Sequence, residues 1–356
     1  MLRSGRLFGG LANYATTMAV ILLGLWIYTR DDNFLWTEFD VKIAFHLFGA
    51  DLTVSTSDLL VWLSALYAVI LIPYYAMRPG FVSDARKILA YVHHWATAGK
   101  QPDFGFDERR AALCLALKLF FVPLMLGFLL NNISEVMQHW LAFISDDADA
   151  RFTIRLNSSF FYLLLAILYV IDVVIFALGY LVEDRSLRNE IKSVDPTVLG
   201  WTSCLICYPP FNYVGIAFFS WKRIDSADFG PPLLEAMLAC IIIAAIAIFA
   251  WSSVALGLRA SNLTNRGIVG SGPYRWVRHP AYVTKNLAWW ITALPTLASA
   301  FSNAVSDGLW VLACLAVWTL IYVVRAITEE RHLLMIENGY AEYQARVKFR
   351  FVPGVL

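Results

Sequence analysis

Gly270-Ser-Gly-Pro-Tyr-Arg-Trp-Val-Arg-His-Pro-Ala-Tyr282 is polar, basic and rich in turn residues, yet long apolar runs flank it on both sides. Gly272-Pro273 marks a turn, because Gly tolerates unusual backbone angles and Pro fixes its own. Arg275, Arg278 and His279 gather just ahead of Pro280, which suits a first helical position where its missing N–H has no partner to lose. Residues 281–292 then read as a helix with His279, Tyr282 and Asn286 aligned at i, i+3, i+7. Free backbone N–H groups, the positive end of a helix dipole and guanidinium groups meet there, which makes an anion site. The same stretch also suits a juxtamembrane basic loop that sets topology.

The flanking runs define the class. Hydrophobic residues are 59% of the 356 and charged residues 15%, too apolar a balance for a soluble globule. A net charge of +1 gives no support to a strongly electrostatic partner such as nucleic acid, and none is expected. Several runs approach or exceed the ~20 residues needed to cross a bilayer. The fold expected is all-α, a multi-pass transmembrane helical protein of about eight spans. These fall near 11–28, 59–77, 111–130, 160–181, 198–219, 233–256, 286–300 and 309–328. Pro209-Pro210 should kink or break the fifth, and the seventh is short enough to be tilted or re-entrant.

Between the first two spans, residues 41–48 and 52–55 flank Gly49-Ala-Asp51 as a small hairpin, and Ser57-Asp58 is a candidate helix cap. Residues 83–97 read as an interfacial amphipathic helix with Arg86 and Lys87 on its polar side. Residues 131–155 form a polar segment containing Asp146, Asp147 and Asp149. Arg3 and Arg6 precede an apolar run without a small-residue cleavage pattern, so a retained first span is expected. Lys and Arg crowd the loops after spans two, four and six, which places both termini and the 270–282 stretch in the cytoplasm. The host would be a bacterial inner membrane or the endoplasmic reticulum. Lys118 and Asp172 lie inside spans and are expected to pair, with substrate head-group binding as the alternative reading.

Cys114, Cys204, Cys207, Cys240 and Cys314 all sit in apolar runs, with no disulfide framework and no second pair to complete a metal site with Cys204-x-x-Cys207. His46, His93, His94, His139 and His332 form no i, i+4 pair among themselves, so no metal site is expected.

A second polar cluster follows: Tyr322-x-x-Arg325-x-x-x-Glu329-Glu330, then Asn338-Gly339-Tyr340-x-x-Tyr343. Tyr322, Arg325 and Glu329 share a helix face. Asn338-Gly339 is a helix stop, and residues 341–347 begin a short amphipathic helix. Cations from one cluster and carboxylates from the other could hold a zwitterionic ligand, although a solvated surface helix has the same spelling.

Taken together, Gly272-Pro-Tyr-Arg-x-x-Arg-His-Pro-x-Tyr282, an apolar hairpin and Glu329-Glu330 followed by Gly339-x-x-x-Tyr343 resemble the membrane-embedded methyltransferases. That family includes isoprenylcysteine carboxyl methyltransferase and the phospholipid N-methyltransferases. The likeness runs from about Gly257 to the C-terminus, with spans five and six joining the same core, and spans one to four have no counterpart in it. The organisation expected is an N-terminal accessory transmembrane region over 1–190 and a methyltransferase core over 191–356, with a cytoplasmic cofactor pocket built from the C-terminal part.

The resemblance implies S-adenosylmethionine as cofactor, with Arg278, His279, Pro280, Tyr282, Glu329 and Glu330 lining its pocket. Tyr274, Arg275, Asn286 and Tyr343 complete the expected contacts. Two residues are assigned to catalysis. Arg325 would place a carboxylate acceptor, and Glu329 would take the proton from an amine acceptor. The acceptor would be lipophilic and enter from the bilayer: an isoprenylcysteine carboxylate, a phospholipid amine or a hydrophobic thiol. Two other readings are a lipid or sterol reductase using NADPH and a non-catalytic membrane binding or transport protein. The Arg278-His-Pro spelling favours methyl transfer, and the lack of a strand ahead of Gly270-x-Gly272 argues against a nucleotide-binding fold.

Overall fold

The computed structural model describes residues 2–30, 34–47, 50–78, 80–98, 104–145, 159–213, 232–336 and 339–354. It forms two compact units, Met1–Asn131 and Asn132–Leu356.

In the first unit, α1 (Leu2–Tyr28) and α3 (Thr56–Ala76) pack antiparallel. Tyr14 donates to the Ala68 carbonyl at 3.1 Å, and the Thr17 and Tyr75 hydroxyls share a bond of 2.9 Å. Gly10 permits this approach, since a Cβ there would stand 3.2 Å from the Tyr75 carbonyl oxygen. A short helix α2 (Phe34–Phe39) leads to the expected hairpin, β1 (Lys42–Leu47) with β2 (Ala50–Ser55), in register from Lys42↔Ser55 to Leu47↔Ala50. Ser55, not Ser57, caps α3 in a reciprocal box with Asp58. The amphipathic helix is α4 (Asp84–Ala98), but Arg86 reaches back to the Gly9 carbonyl at 3.2 Å. Next, α5 (Phe106–Ser145) begins in this unit and is 40 residues long, ~60 Å of rise. It absorbs both the third span and the start of the polar segment, while Asp146, Asp147 and Asp149 lie outside the described residues.

The second unit is built on α6 (Ser159–Leu181) and α8 (Pro232–Leu256). Phe161 and Leu165 pack with Ala239, Ile242 and Ile246, Ser253 donates to Asp172, and Gly179 touches the Ala260 carbonyl. Those pairings ascend together, so the two helices run parallel. Small residues on α8 (Ala239, Ala245) share this core with Phe161 and Leu165 of α6. Helix α9 (Pro280–Thr292) packs along α8 and adds Ala288 and Ile291 to the same core. Asp172, paired with Lys118 in the sequence reading, takes Ser253 as donor and has Lys285 as the cation acting on it.

Among the described residues six helices are long and apolar enough to cross a membrane, against the eight expected. The seventh expected span is divided into α9 and α10 (Leu294–Asn303). Pro295 supplies no amide to continue the first helix and obstructs a carbonyl one turn back. Across the break the two pieces together rise ~36 Å, enough for one kinked passage. From there, α11 (Val305–Leu334) returns along α10. The fifth span is described only in its first part, as α7 (Val198–Leu205), which ends ahead of Pro209-Pro210; residues 214–231 lie outside the described residues. The compact units divide at 131/132, earlier than 190/191, because α6 belongs to the α8 core.

This winding brings the C-terminal ends of α6, α8 and α11 to the N-terminal end of α9. A two-residue ladder, β3 (Ser193–Val194) with β4 (Thr264–Asn265), and α12 (Tyr340–Arg346) join them there.

Candidate active site

The N-terminal turn of α9 and the last two turns of α11 face each other across this end of the unit. Gly272 has φ +57 with Ala255 and Trp251 pressed where a Cβ would go, so the turn before α9 requires glycine. Pro280 is the first helical residue, as its missing amide allows. His279 is the N-cap but makes no side-chain capping bond, which leaves its imidazole free to point elsewhere.

It points at the paired carboxylates. His279 Nε2 lies 3.1 Å from Glu330 Oε1, and Nδ1 lies 3.7 Å from Glu329 Oε2. Glu330 is buried, 4% exposed, and is enclosed by cations. Arg278 Nε donates to its Oε1 at 2.8 Å; Arg350 donates from Nη2 to Oε2 at 2.8 Å and from Nε to Oε1 at 3.1 Å. Gln344 adds a longer bond at 3.5 Å. Arg278 also holds the C-terminal tail, donating from Nη1 to the carbonyls of Val347 and Lys348 at 2.9 and 2.7 Å. The backbone amides of Arg278 and His279 donate to Phe349 and Arg350 at 3.0 Å each. Glu330 thus ties together the turn before α9, α11 and the tail.

Glu329 is different. Its side chain is 26% exposed, and it accepts from the Tyr282 hydroxyl and from Arg325 Nε, the latter at 3.2 Å. Arg325 is buried; it also donates to Asn262 Oδ1 and lies 5.2 to 6.0 Å from the rings of Tyr282, Tyr208 and Tyr322. Three tyrosines around a desolvated guanidinium make a cation–π cage with one carboxylate edge. Asn262 is locked in turn: its amide N–H donates to the Tyr180 hydroxyl at 2.7 Å and Nδ2 to Tyr208 at 3.1 Å.

Asn286 sits one turn beyond Tyr282. Its Nδ2 donates to the Tyr282 carbonyl at 2.8 Å, while its Oδ1 is buried without a hydrogen-bond partner. Tyr343 packs with Tyr340, Val347 and Tyr274 and donates to the Tyr274 carbonyl at 2.7 Å. Burial pushes the Tyr343 hydroxyl up to about 12, so it remains a donor at neutral pH. The hydrogen bonds from Arg350 to Glu330 hold that guanidinium above its ordinary value.

Of the residues singled out from the sequence, Arg278, His279, Pro280, Tyr282, Arg325, Glu329 and Glu330 are brought together, with Asn286 beside them. Tyr274 and Tyr343 brace the turn from behind. Arg275 is exposed and stacks on Trp276 at 4.5 Å. Sequence reasoning missed Asn262, Tyr208 and Arg350. Arg350 sits in a tail whose polar-apolar alternation carries no motif, and Asn262 precedes Leu263, whose φ of +62 no residue type announces.

Residues 233–335 match the isoprenylcysteine carboxyl methyltransferase (ICMT) family. The ICMT-family segment covers less than a third of the chain and runs from α8 through α11, so it contains both facing clusters but neither Tyr343 nor Arg350. No curated protein and no solved structure matches the chain. Among the described residues, no group of three or more His, Cys, Asp or Glu side chains could hold a metal ion.

Proposed function

We propose that this protein is an integral-membrane methyltransferase that uses S-adenosylmethionine and acts on a lipophilic acceptor. The observation that carries the reading is the asymmetry of the carboxylate pair inside the ICMT-family segment. Glu330 is consumed by internal cations, while Glu329 keeps an exposed edge and lies 3.7 Å from His279 Nδ1 at the uncapped start of α9, with the unpartnered Asn286 Oδ1 one turn beyond Tyr282. These residues fit the cofactor's polar end. First-turn amides of α9 and His279 suit its carboxylate, and Glu329 with Asn286 suits its ammonium or ribose hydroxyls. Arg278 and Glu330 then act by fixing the turn that presents His279.

When bound, S-adenosylmethionine supplies an electrophilic methyl group on a sulfonium centre. The protein's task is to orient an acceptor in line with that methyl and to exclude water. Arg325 is the acceptor-placing cation for a carboxylate, held by Asn262 and Glu329 so that its plane is fixed. For an amine acceptor Glu329 removes the proton before transfer. The core proposed for this chemistry is residues 191–356, with α6 packed against α8 in the same compact unit. The turn before α9 and the C-terminal tail face the cytoplasm in this reading, following the Lys and Arg bias of the loops.

Isothermal titration of the detergent-purified protein with S-adenosylmethionine and, separately, NADPH tests the reading. Saturable binding of S-adenosylmethionine alone is expected. Transfer of labelled methyl to a panel of prenylated carboxylates, phospholipid amines and apolar thiols then selects the acceptor. Binding of NADPH alone, or of neither, would overturn the proposal.

A further inference from the structure

A cleft of about 600 Å³ opens beside the Gly270–Arg275 turn at the end of α8, and neither His279 nor Glu329 is among the residues that line it. Its lining is of two kinds. Leu256, Leu258 and Ile268 contribute apolar side chains, and Arg259, Arg346 and Ser271 contribute polar ones.

Neither arginine has a carboxylate partner among the described residues. Arg259 donates from Nε to the Arg188 carbonyl at 3.1 Å and from Nη1 to the Ile268 carbonyl at 3.3 Å, both neutral acceptors. Arg346 is exposed and lies 6.0 Å over the Tyr343 ring. Ser271 is the N-cap of the 3-10 turn yet makes no side-chain capping bond. Two uncompensated guanidiniums and a hydroxyl therefore share one concavity with hydrocarbon side chains. The apolar span that includes α8 ends at Arg259, so the cleft lies where hydrocarbon gives way to headgroups.

We infer that this cleft binds the phosphate of an anionic phospholipid, its headgroup against Arg259, Arg346 and Ser271 and the start of its acyl chain against Leu256, Leu258 and Ile268. Guanidinium groups match phosphate geometry with paired donors, and weak hydration lets them work at an interface. The mixed lining favours an amphiphile over a free phosphate ion, which would leave the apolar side chains against water. None of the three polar residues takes part in the proposed methyl transfer, so the lipid site stands or falls independently of it.

The test is native mass spectrometry of the full chain in neutral detergent, titrated with phosphatidylglycerol, with phosphatidylcholine and with inorganic phosphate. Phosphatidylglycerol should be retained roughly ten-fold more tightly than phosphatidylcholine, and Arg346→Gln should reduce that retention about ten-fold, the effect of one charge-assisted contact. Arg259→Gln should do the same where it folds; Arg346→Gln alters an exposed side chain and keeps the test open if it does not. Equal retention of the two lipids, or unchanged retention in Arg346→Gln, would overturn the site. Displacement of lipid by equimolar inorganic phosphate would overturn the lipid as occupant. A loss of S-adenosylmethionine affinity in Arg346→Gln with lipid retention intact would assign the cleft to the cofactor and overturn the proposal.

Discussion

Glu329 and Glu330 are adjacent in sequence, and a helix turns them about 100° apart. That rotation separates two environments. Glu330 points into a knot of Arg278, Arg350 and His279 and is almost sealed from solvent. Glu329 points into a tyrosine-lined cage with one cation, Arg325, and one open side. The two side chains are chemically identical, and only the count and burial of their partners differ. The first is committed to holding three chain segments together, and the second keeps an exposed edge. A pair spelled identically in the sequence thus divides into a fastener and, in the proposed reading, a ligand contact.

Removing the fastener should have the largest effect. In Glu330→Gln the amide offers a donor to Arg278 and Arg350, and two guanidiniums lose their counter-charge. A destabilisation of ~3–5 kcal/mol is expected, read as a lowered denaturation midpoint in detergent. The double change Arg278→Met with Glu330→Met should be milder than Glu330→Gln, because it leaves no unpaired buried charge on either partner. Equal losses in both would show that the knot is not what secures the tail.

Breaking the contact side should act on binding, and in Glu329→Gln, which leaves the Glu330 knot whole, it should leave the fold in place. Glu329→Gln and His279→Ala are each expected to weaken S-adenosylmethionine binding ten- to hundred-fold, corresponding to ~1.5–3 kcal/mol for a charge-assisted bond. The melting temperature of Glu329→Gln should move far less than that of Glu330→Gln. Should the two glutamate variants show the same ranking in both stability and affinity, the division of roles is wrong. Arg325→Lys sharpens the comparison further: a lysine keeps the charge but not the planar fork, so turnover should fall while cofactor affinity changes little.

How much of this was legible beforehand follows from what each contact depends on. The turn before α9 and the face carrying Tyr282 and Asn286 were readable because Gly272, Pro273 and Pro280 impose local geometry and helical spacing does the rest. The apolar runs fixed the class, since burial in lipid is a property of composition over ~20 residues. The span count was harder, because Pro295 acts on a helix whose continuity depends on packing against α8 and α11. The distinction between Glu329 and Glu330 was not readable at all. It depends on Arg350, twenty positions away in an unremarkable tail, and on Asn262, which reaches Arg325 only after α6 and α8 have packed in parallel. Arg275 shows the converse: a cation within the right stretch that the turn directs outward onto Trp276.

The smallest expected effect concerns Arg350, the outermost member of the knot. Its side chain is 31% exposed, against 7% for Arg278, so water and salt reach one side of its bond to Glu330. Arg350→Gln should therefore destabilise by only ~1 kcal/mol, since a partly exposed pair gains little over solvated ions. The difference between wild type and Arg350→Gln should also shrink as ionic strength rises from about 0.01 to 1 M, where the screening length falls from ~30 to ~3 Å. The Glu330→Gln difference should hold nearly constant over the same range, because its penalty arises from buried groups that counterions do not reach. Thermal melts of both variants across that salt series separate the two. Parallel salt dependence would mean that Glu330 is as open to solvent as Glu329, and the contrast between the neighbouring carboxylates would then have no physical basis.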